Sequence, residues 1–179
     1  MKKNILILSA SPRIQGNSDI LCDQFSKGAQ VAGHATDIIH VHKKKINYCT
    51  GCGTCFQGGK ACPQKDDMPV ILEKMILADV IVMATPVYFY TMNGQMKTLI
   101  DRCCSRYREI SGKEFYFIAT AADGNKNAIE RTMDEFRGFT ECLERPIEKG
   151  IVCGVGAWEK GAIIKTKAYA EAYELGSLV

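Results

Sequence analysis

Runs of Ile, Val, Leu and Ala alternate along the chain with segments in which apolar residues recur every three to four positions, the pattern of strands followed by amphipathic helices. The first run covers residues 4–10. Asn17 or Ser18 then caps a helix that carries Ile20, Leu21, Phe25 and Ala29 on one side until Gly33. Residues 36–42 read as a second strand, residues 68–78 as a helix, and residues 79–85 (DVIVMAT) as a buried strand. Residues 90–92 lead into a helix running to about residue 106, and a fourth strand covers residues 115–120. A helix from about Asn127, a fifth strand at residues 150–155 and a helix at residues 166–178 complete the chain. The strands lack polar alternation, so both faces of their sheet are covered, as repeated β-α units arrange. The expectation is an α/β fold: a five-stranded parallel sheet, order 2-1-3-4-5, with helices on both faces.

A length of 179 residues suits one domain, read here as residues 1–179 with a cysteine-rich loop at about 43–67. Hydrophobic residues make up 46% and charged residues 24%, which excludes a disordered chain. A net charge of +3 is too small to call for a nucleic-acid partner, and the run Lys43-Lys44-Lys45 reads as a solvated loop. The opening MKKNILILSAS has too short an apolar run for a secretory signal, and no stretch has the eighteen or so apolar residues of a membrane span. A cytoplasmic protein without a membrane partner is expected. In that compartment nine cysteines point to metal, redox chemistry or buried thiols before structural disulfides.

Open sheets of this order bind ligands beyond the carboxyl ends of the strands, where the strand order reverses. The loops after strands one and three flank that crevice. The first reads SASPRIQGNS, with the hydroxyls of Ser9, Ser11 and Ser18, the guanidinium of Arg13, the amide of Asn17 and then a helix start. Unpaired helix amides, hydroxyls and an arginine together make a phosphate cage. Neither a Gly-Lys-Ser/Thr ending nor three spaced glycines are present, so a terminal monophosphate suits the loop better than ATP or a pyrophosphate. An ordinary strand-to-helix turn draws on the same residues. The second loop reads TPVYFYTMNGQMKTLIDR. Its three consecutive aromatics, Tyr88 to Tyr90, call for something flat to cover them, a core to fill or a partner subunit.

The segments S11-P-R-x-x-G-N-S18, T85-P-V-Y-F-Y, M92 and K97-x-x-x-D-R102 resemble the flavodoxin-like NAD(P)H-dependent FMN reductase family, and the likeness reaches the closing A168-x-x-x-A-Y-E-L-G176. The resemblance implies FMN as cofactor and NAD(P)H, or a reduced carrier such as a ferredoxin, as electron donor. It implies Ser11, Arg13, Asn17 and Ser18 as phosphate contacts, and Pro86, Val87, Tyr88 and Phe89 as contacts of the flavin ring. A third binding loop would be T120-A-A-D-G124, with Thr120, Ala121, Asp123 and Gly124. Lys97, Asp101 and Arg102 read as structural, by helix ion pairing. Hydride transfer between stacked rings needs no protein acid or base, so no catalytic residue is named, and His34, His40 and His42 have no spacing that makes a site.

Four cysteines fall within fifteen residues: Cys49, Cys52, Cys55 and Cys62, the last followed by Pro63. Structural zinc draws on two separated ligand pairs, whereas overlapping spacing of three with a closing Cys-Pro is the ferredoxin pattern. Iron-sulfur is the better metal, with oxidised or metal-free thiols as the other readings. Position adds to spacing. The run stands after strand two and ahead of D66-D-M68, as in the iron-sulfur flavoprotein branch of the resembled family, which implies a [4Fe-4S] cluster on these four residues. The cluster would pass single electrons between flavin and an external acceptor, across subunits of a homodimer or homotetramer. Cys22, Cys142 and Cys153 read as small apolar residues, and Cys103 and Cys104 face different ways on a helix. Two other functions stay open: an interaction module with zinc in the cysteine loop and an empty crevice, and a flavodoxin-type electron carrier, whose acidic surface this chain lacks.

Overall fold

In the computed structural model, which describes residues 1–57 and 60–179, five parallel strands form a sheet in the order β2-β1-β3-β5-β6. They are β1 (Asn4–Ser9), β2 (Ala35–His40), β3 (Val80–Tyr88), β5 (Glu114–Thr120) and β6 (Ile147–Gly154). Between them run α1 (Asn17–Val31), α2 (Met68–Leu77), α3 (Gly94–Arg102) and α4 (Asn127–Thr140), and α5 (Lys167–Ser177) ends the chain. Gly58 and Gly59 of the cysteine loop lie outside the described residues.

The uninterrupted apolar strands do cover two faces. Leu6, Leu8, Ile81, Met83, Phe115 and Phe117 are buried in the layer that packs on α2, α3 and α4. Their neighbours Ile5, Ile7, Val80, Val82, Tyr116 and Ile118 are buried in the opposite layer, against α1 and α5. Successive strand side chains alternate sides, so an all-apolar run is what a doubly covered sheet requires. On the second side α1 and α5 meet backbone to backbone. A Cβ at Gly28 would run into the Tyr173 carbonyl, and one at Gly176 into that of Phe25.

One expectation needs correction: the sheet has six strands rather than five. The sixth, β4 (Thr91–Met92), pairs antiparallel with the end of β3, Val87 opposite Met92 and Tyr88 opposite Thr91. Accordingly β3 continues to Tyr88, through residues that the sequence suggested were already loop. Pro86 is tolerated there because β1 ends at Ser9, opposite Ala84, and the edge that Pro86 presents has no neighbour to receive an N–H. The hairpin turns on Phe89 and Tyr90, both left-handed, at φ 51° and 65°. Two-residue turns of that kind ordinarily recruit Asn or Gly. Aromatic residues in this conformation, a feature found at ligand clamps, hid the hairpin from a reading based on turn residues. The helix expected to reach about residue 106 ends at Arg102, and tighter turns follow it.

Candidate functional site

The sheet order reverses between β1 and β3, and a cavity of about 440 Å³ opens at that end. The loop after β1 forms one wall. The amide of Arg13 donates to Ser11 Oγ at 3.2 Å, and that of Gly16 donates to the Arg13 carbonyl at 2.9 Å, which curls the chain into a cradle. A Cβ on Gly16 would stand 2.8 Å from Ser11 Oγ and 2.9 Å from the Arg13 carbonyl oxygen, so only glycine leaves this space. Gly16 is also the cap of α1 and gives the helix no side-chain acceptor. The first amides of α1 therefore face the cradle without a side-chain partner, which is the donor set that a phosphate takes.

Ser11, Arg13, Asn17 and Ser18 all line the cavity. Their polar atoms are not equally free. The Asn17 amide donates to the carbonyls of Ala157 (2.8 Å) and Glu159 (3.0 Å), and its oxygen accepts from the amide of Gly161 (3.0 Å). Asn17 thus ties α1 to the loop after β6. Ser18 Oγ lies 2.7 Å from Thr120 Oγ1 and joins the first and third loops behind the cavity. Ser9 does not reach the cavity; it is fully buried and donates to the Asp19 carboxylate, whose other oxygen accepts from the Gln15 amide at 3.1 Å.

The β3–β4 hairpin forms the opposite wall, and Pro86, Val87, Tyr88 and Phe89 line it. Phe89 is 98% exposed, an apolar area that a flat ligand would cover. Asn93, at the base of the hairpin, is buried and holds three pieces together. Its side chain donates to the Ala10 carbonyl at 2.6 Å, accepts from the Met96 amide at 3.2 Å to cap α3, and faces Thr85 Oγ1 at 3.1 Å. Glu135 on α4 accepts from the Met92 amide at 2.7 Å and fixes the return strand.

From the third loop, Thr120 and Ala122 line the cavity, whereas Ala121, Asp123 and Gly124 do not. Asp123 serves the loop itself: its carboxylate accepts from the Asn125 amide at 2.8 Å and its carbonyl from the Gly156 amide at 2.8 Å. The sequence reading missed a fourth wall, Ala157 and Trp158 in the loop after β6. Its one signal was the single tryptophan, placed just past the carboxyl end of the last strand.

The cysteine loop leaves β2 and returns to α2 on another side of the molecule. Cys49, Cys52, Cys55 and Cys62 are all free thiols and line one concavity of about 170 Å³. Its base is stitched by D66-D-M68: Asp67 accepts from the Lys45 amide at 2.7 Å, and Asp66 from the amides of Asn47 (2.9 Å) and Met68 (3.1 Å). The Cys52 thiol donates to Thr54 Oγ1 at 3.4 Å. The Thr54 hydroxyl and then its amide stabilise the thiolate and hold Cys52 below the usual thiol range. Among the described residues, no three His, Cys, Asp or Glu side chains form a group that could hold a metal ion. Four free cysteines on one concavity are the donor type that a cubane takes.

Two further residues belong to this concavity. Lys97 and Asp101 form the expected helix ion pair at 2.5 Å, but Arg102 turns off the helix toward Asp66 and Cys62. Cys103 is buried in the core, its thiol donating to the Leu99 carbonyl at 3.4 Å, while Cys104 faces the other way and lines the thiol concavity. Burial, then the neighbouring Cys55 and Cys49, push the Cys104 thiol up. The different faces were legible in the sequence; that one of them adds a fifth thiol was not.

The profile of NADPH-dependent FMN reductase matches residues 3–146. An iron-sulfur flavoprotein of Methanocaldococcus jannaschii is 34% identical over 146 residues, 76% of this chain and 71% of that one. An iron-sulfur flavoprotein of Archaeoglobus fulgidus is 42% identical over 92 residues, but the match spans 51% of this chain and only 41% of the relative. Among solved structures, the NAD(P)H:quinone oxidoreductase from Methanothermobacter marburgensis superposes with a TM-score of 0.77 over 99% of this chain and 96% of that one, at 14% identity. No helix is long and apolar enough to cross a membrane among the described residues. The chain belongs to the NADPH-dependent FMN reductase family, in its iron-sulfur flavoprotein branch.

Proposed function

We propose that the chain is an FMN-dependent oxidoreductase domain that takes electrons from NAD(P)H and delivers them to an external acceptor, with a [4Fe-4S] cluster on Cys49, Cys52, Cys55 and Cys62. One observation carries the flavin part: the cavity at the strand-order reversal joins an uncapped helix N-terminus to an exposed aromatic hairpin across about 440 Å³. Bound FMN would supply a two-electron acceptor for the nicotinamide hydride, and the cluster a one-electron outlet.

The protein's own part is binding and orientation. The α1 amides, Ser11, Ser18 and Arg13 hold the phosphate, and Arg13 adds the positive charge. Asn17 contributes by fixing the loop of Ala157 and Trp158 against α1. Pro86 to Phe89 and Trp158 flank the ring and keep bulk water from its covered side, with Thr120 closing the back of the cavity. Ser9, Ala121, Asp123 and Gly124 support these walls from behind. The assembly is a homodimer or homotetramer. Support comes from a cavity of about 690 Å³ along α3 and α4, where half-buried Ile100 and Tyr107 stand beside the exposed Phe56 of the cysteine loop.

The anaerobic visible spectrum tests both cofactors at once. Flavin bands with a broad additional absorbance, and iron lost in Cys52→Ala, are expected. A colourless protein that added FMN does not rescue would remove the flavin reading, and iron unchanged by Cys52→Ala would remove the cluster.

A further inference from the structure

The described residues include one buried basic side chain, Arg102. Burying a guanidinium is costly unless its charge is paired and its N–H groups are met. Arg102 lies at the end of α3; every hydrogen bond of its side chain goes to the cysteine loop, and its buried Nε–H has no partner among the described residues. Nη1 donates to the Asn47 carbonyl at 2.8 Å and to Asp66 Oδ2 at 2.5 Å; Nη2 donates to Asp66 Oδ1 at 3.1 Å and to Cys62 Sγ at 3.6 Å. The side chains of Arg102 and Asp66 are 2% and 0% exposed. Burial alone would raise the Asp66 carboxyl, but the bonds from Arg102 and from the amides of Asn47 and Met68 outweigh it and hold the group below the usual carboxylate range.

A simple ion pair would have been complete with Asp66. Here the fork reaches both ends of the thiol run, a carbonyl two residues before Cys49 and the sulfur of Cys62. We propose that Arg102 is a positioning residue for the thiol site: it clamps the two ends of the cysteine loop onto α3 and supplies an N–H donor and a positive charge to the Cys62 sulfur. Such donors stabilise added negative charge on an iron-sulfur centre and set its potential. The second half of the inference rests on the proposed cluster; the clamp does not.

The test compares wild type, Arg102→Lys and Arg102→Gln, with the neutral pair Arg102→Gln, Asp66→Asn as a variant that leaves no unpaired buried charge. Two quantities are read: the rate of limited proteolysis within residues 43–67 of the metal-free chain, and the midpoint potential and iron content of the anaerobically reconstituted protein. Arg102→Gln should be cut about tenfold faster than wild type, the effect of roughly 1.4 kcal/mol on local opening, and its potential should move negative. Arg102→Lys, which keeps the charge but not the fork, should open the loop while shifting the potential less. The neutral pair should fold and still show the negative shift. Unchanged cutting in both Arg102→Gln and the neutral pair overturns the clamp; faster cutting at an unchanged potential overturns the role toward Cys62. If wild type binds no iron and sulfide, the cluster reading and the Cys62 role fall together, and proteolysis alone decides the clamp.

Discussion

The crevice after β1 and the cysteine loop both gather polar groups around a concavity, but by opposite means. The crevice is built from ends of regular elements. Its donors are the first amides of α1, its floor is a missing side chain at Gly16, and its walls are joined by buried bonds such as Ser18 to Thr120 and Asn93 to Ala10. Among its described residues the loop has little regular structure, and two of its four thiols are exposed. Its base carries a buried ion pair, Asp66 with Arg102, beside amide bonds to Asp66 and Asp67. A crevice made of backbone should tolerate many side-chain changes and fail on few. A loop made of side-chain contacts should fail at its clamp.

The largest expected effect is therefore at the loop. Asp66→Ala leaves Arg102 buried without its counter-charge and should cost about 3–5 kcal/mol of stability, measured as a lowered denaturation midpoint of the metal-free chain. The same pair sets a pH dependence. Because the folded-state pKa of Asp66 lies below its unfolded value, the stabilisation is fully present above the usual carboxylate range and is lost as pH falls through the folded value. Protease sensitivity of residues 43–67 should accordingly rise in acid, well below pH 4, and Asp66→Asn should abolish that rise.

The next effect belongs to the crevice. Gly16→Val puts side-chain atoms where Ser11 Oγ and the Arg13 carbonyl already stand, and should weaken FMN about a hundredfold, roughly 2.7 kcal/mol, with iron content unchanged. Asn93→Ala should come third. It unfastens the hairpin from the first loop and removes the cap of α3, a loss of about 1–2 kcal/mol in stability, with a weaker hold on the flavin ring. The smallest is at Cys104. If four thiols hold the cluster, Cys104→Ser should keep the iron stoichiometry, whereas a drop equal to that of Cys52→Ala would make Cys104 a ligand and redraw the site.

The sequence carried the frame well and the fastenings poorly, for a physical reason. Burial on two faces writes itself into the central strands β1, β3 and β5, so the parallel order and the two loops at its reversal could be read from residues such as Ile5 to Leu8 and Val80 to Ala84. The D66-D-M68 motif was visible, but the charged partner of Asp66 is Arg102, 36 residues away, and no local pattern encodes such a reach. Asn17 was expected as a phosphate contact because it starts a helix; its side chain also holds the loop after β6, a tie with no local signature. Phe89 and Tyr90 break the usual turn chemistry, and the hairpin they make was the strand the sequence hid. Trp158 entered the site from a loop with no motif at all.

Titration of the purified chain with FMN, followed by quenching of flavin fluorescence, bears most directly on the central claim. Saturable binding at one FMN per chain is expected, weakened by Gly16→Val and left intact by Cys52→Ala. Failure to saturate, or equal binding by wild type and Gly16→Val, would contradict a flavin site built on the backbone cradle after β1.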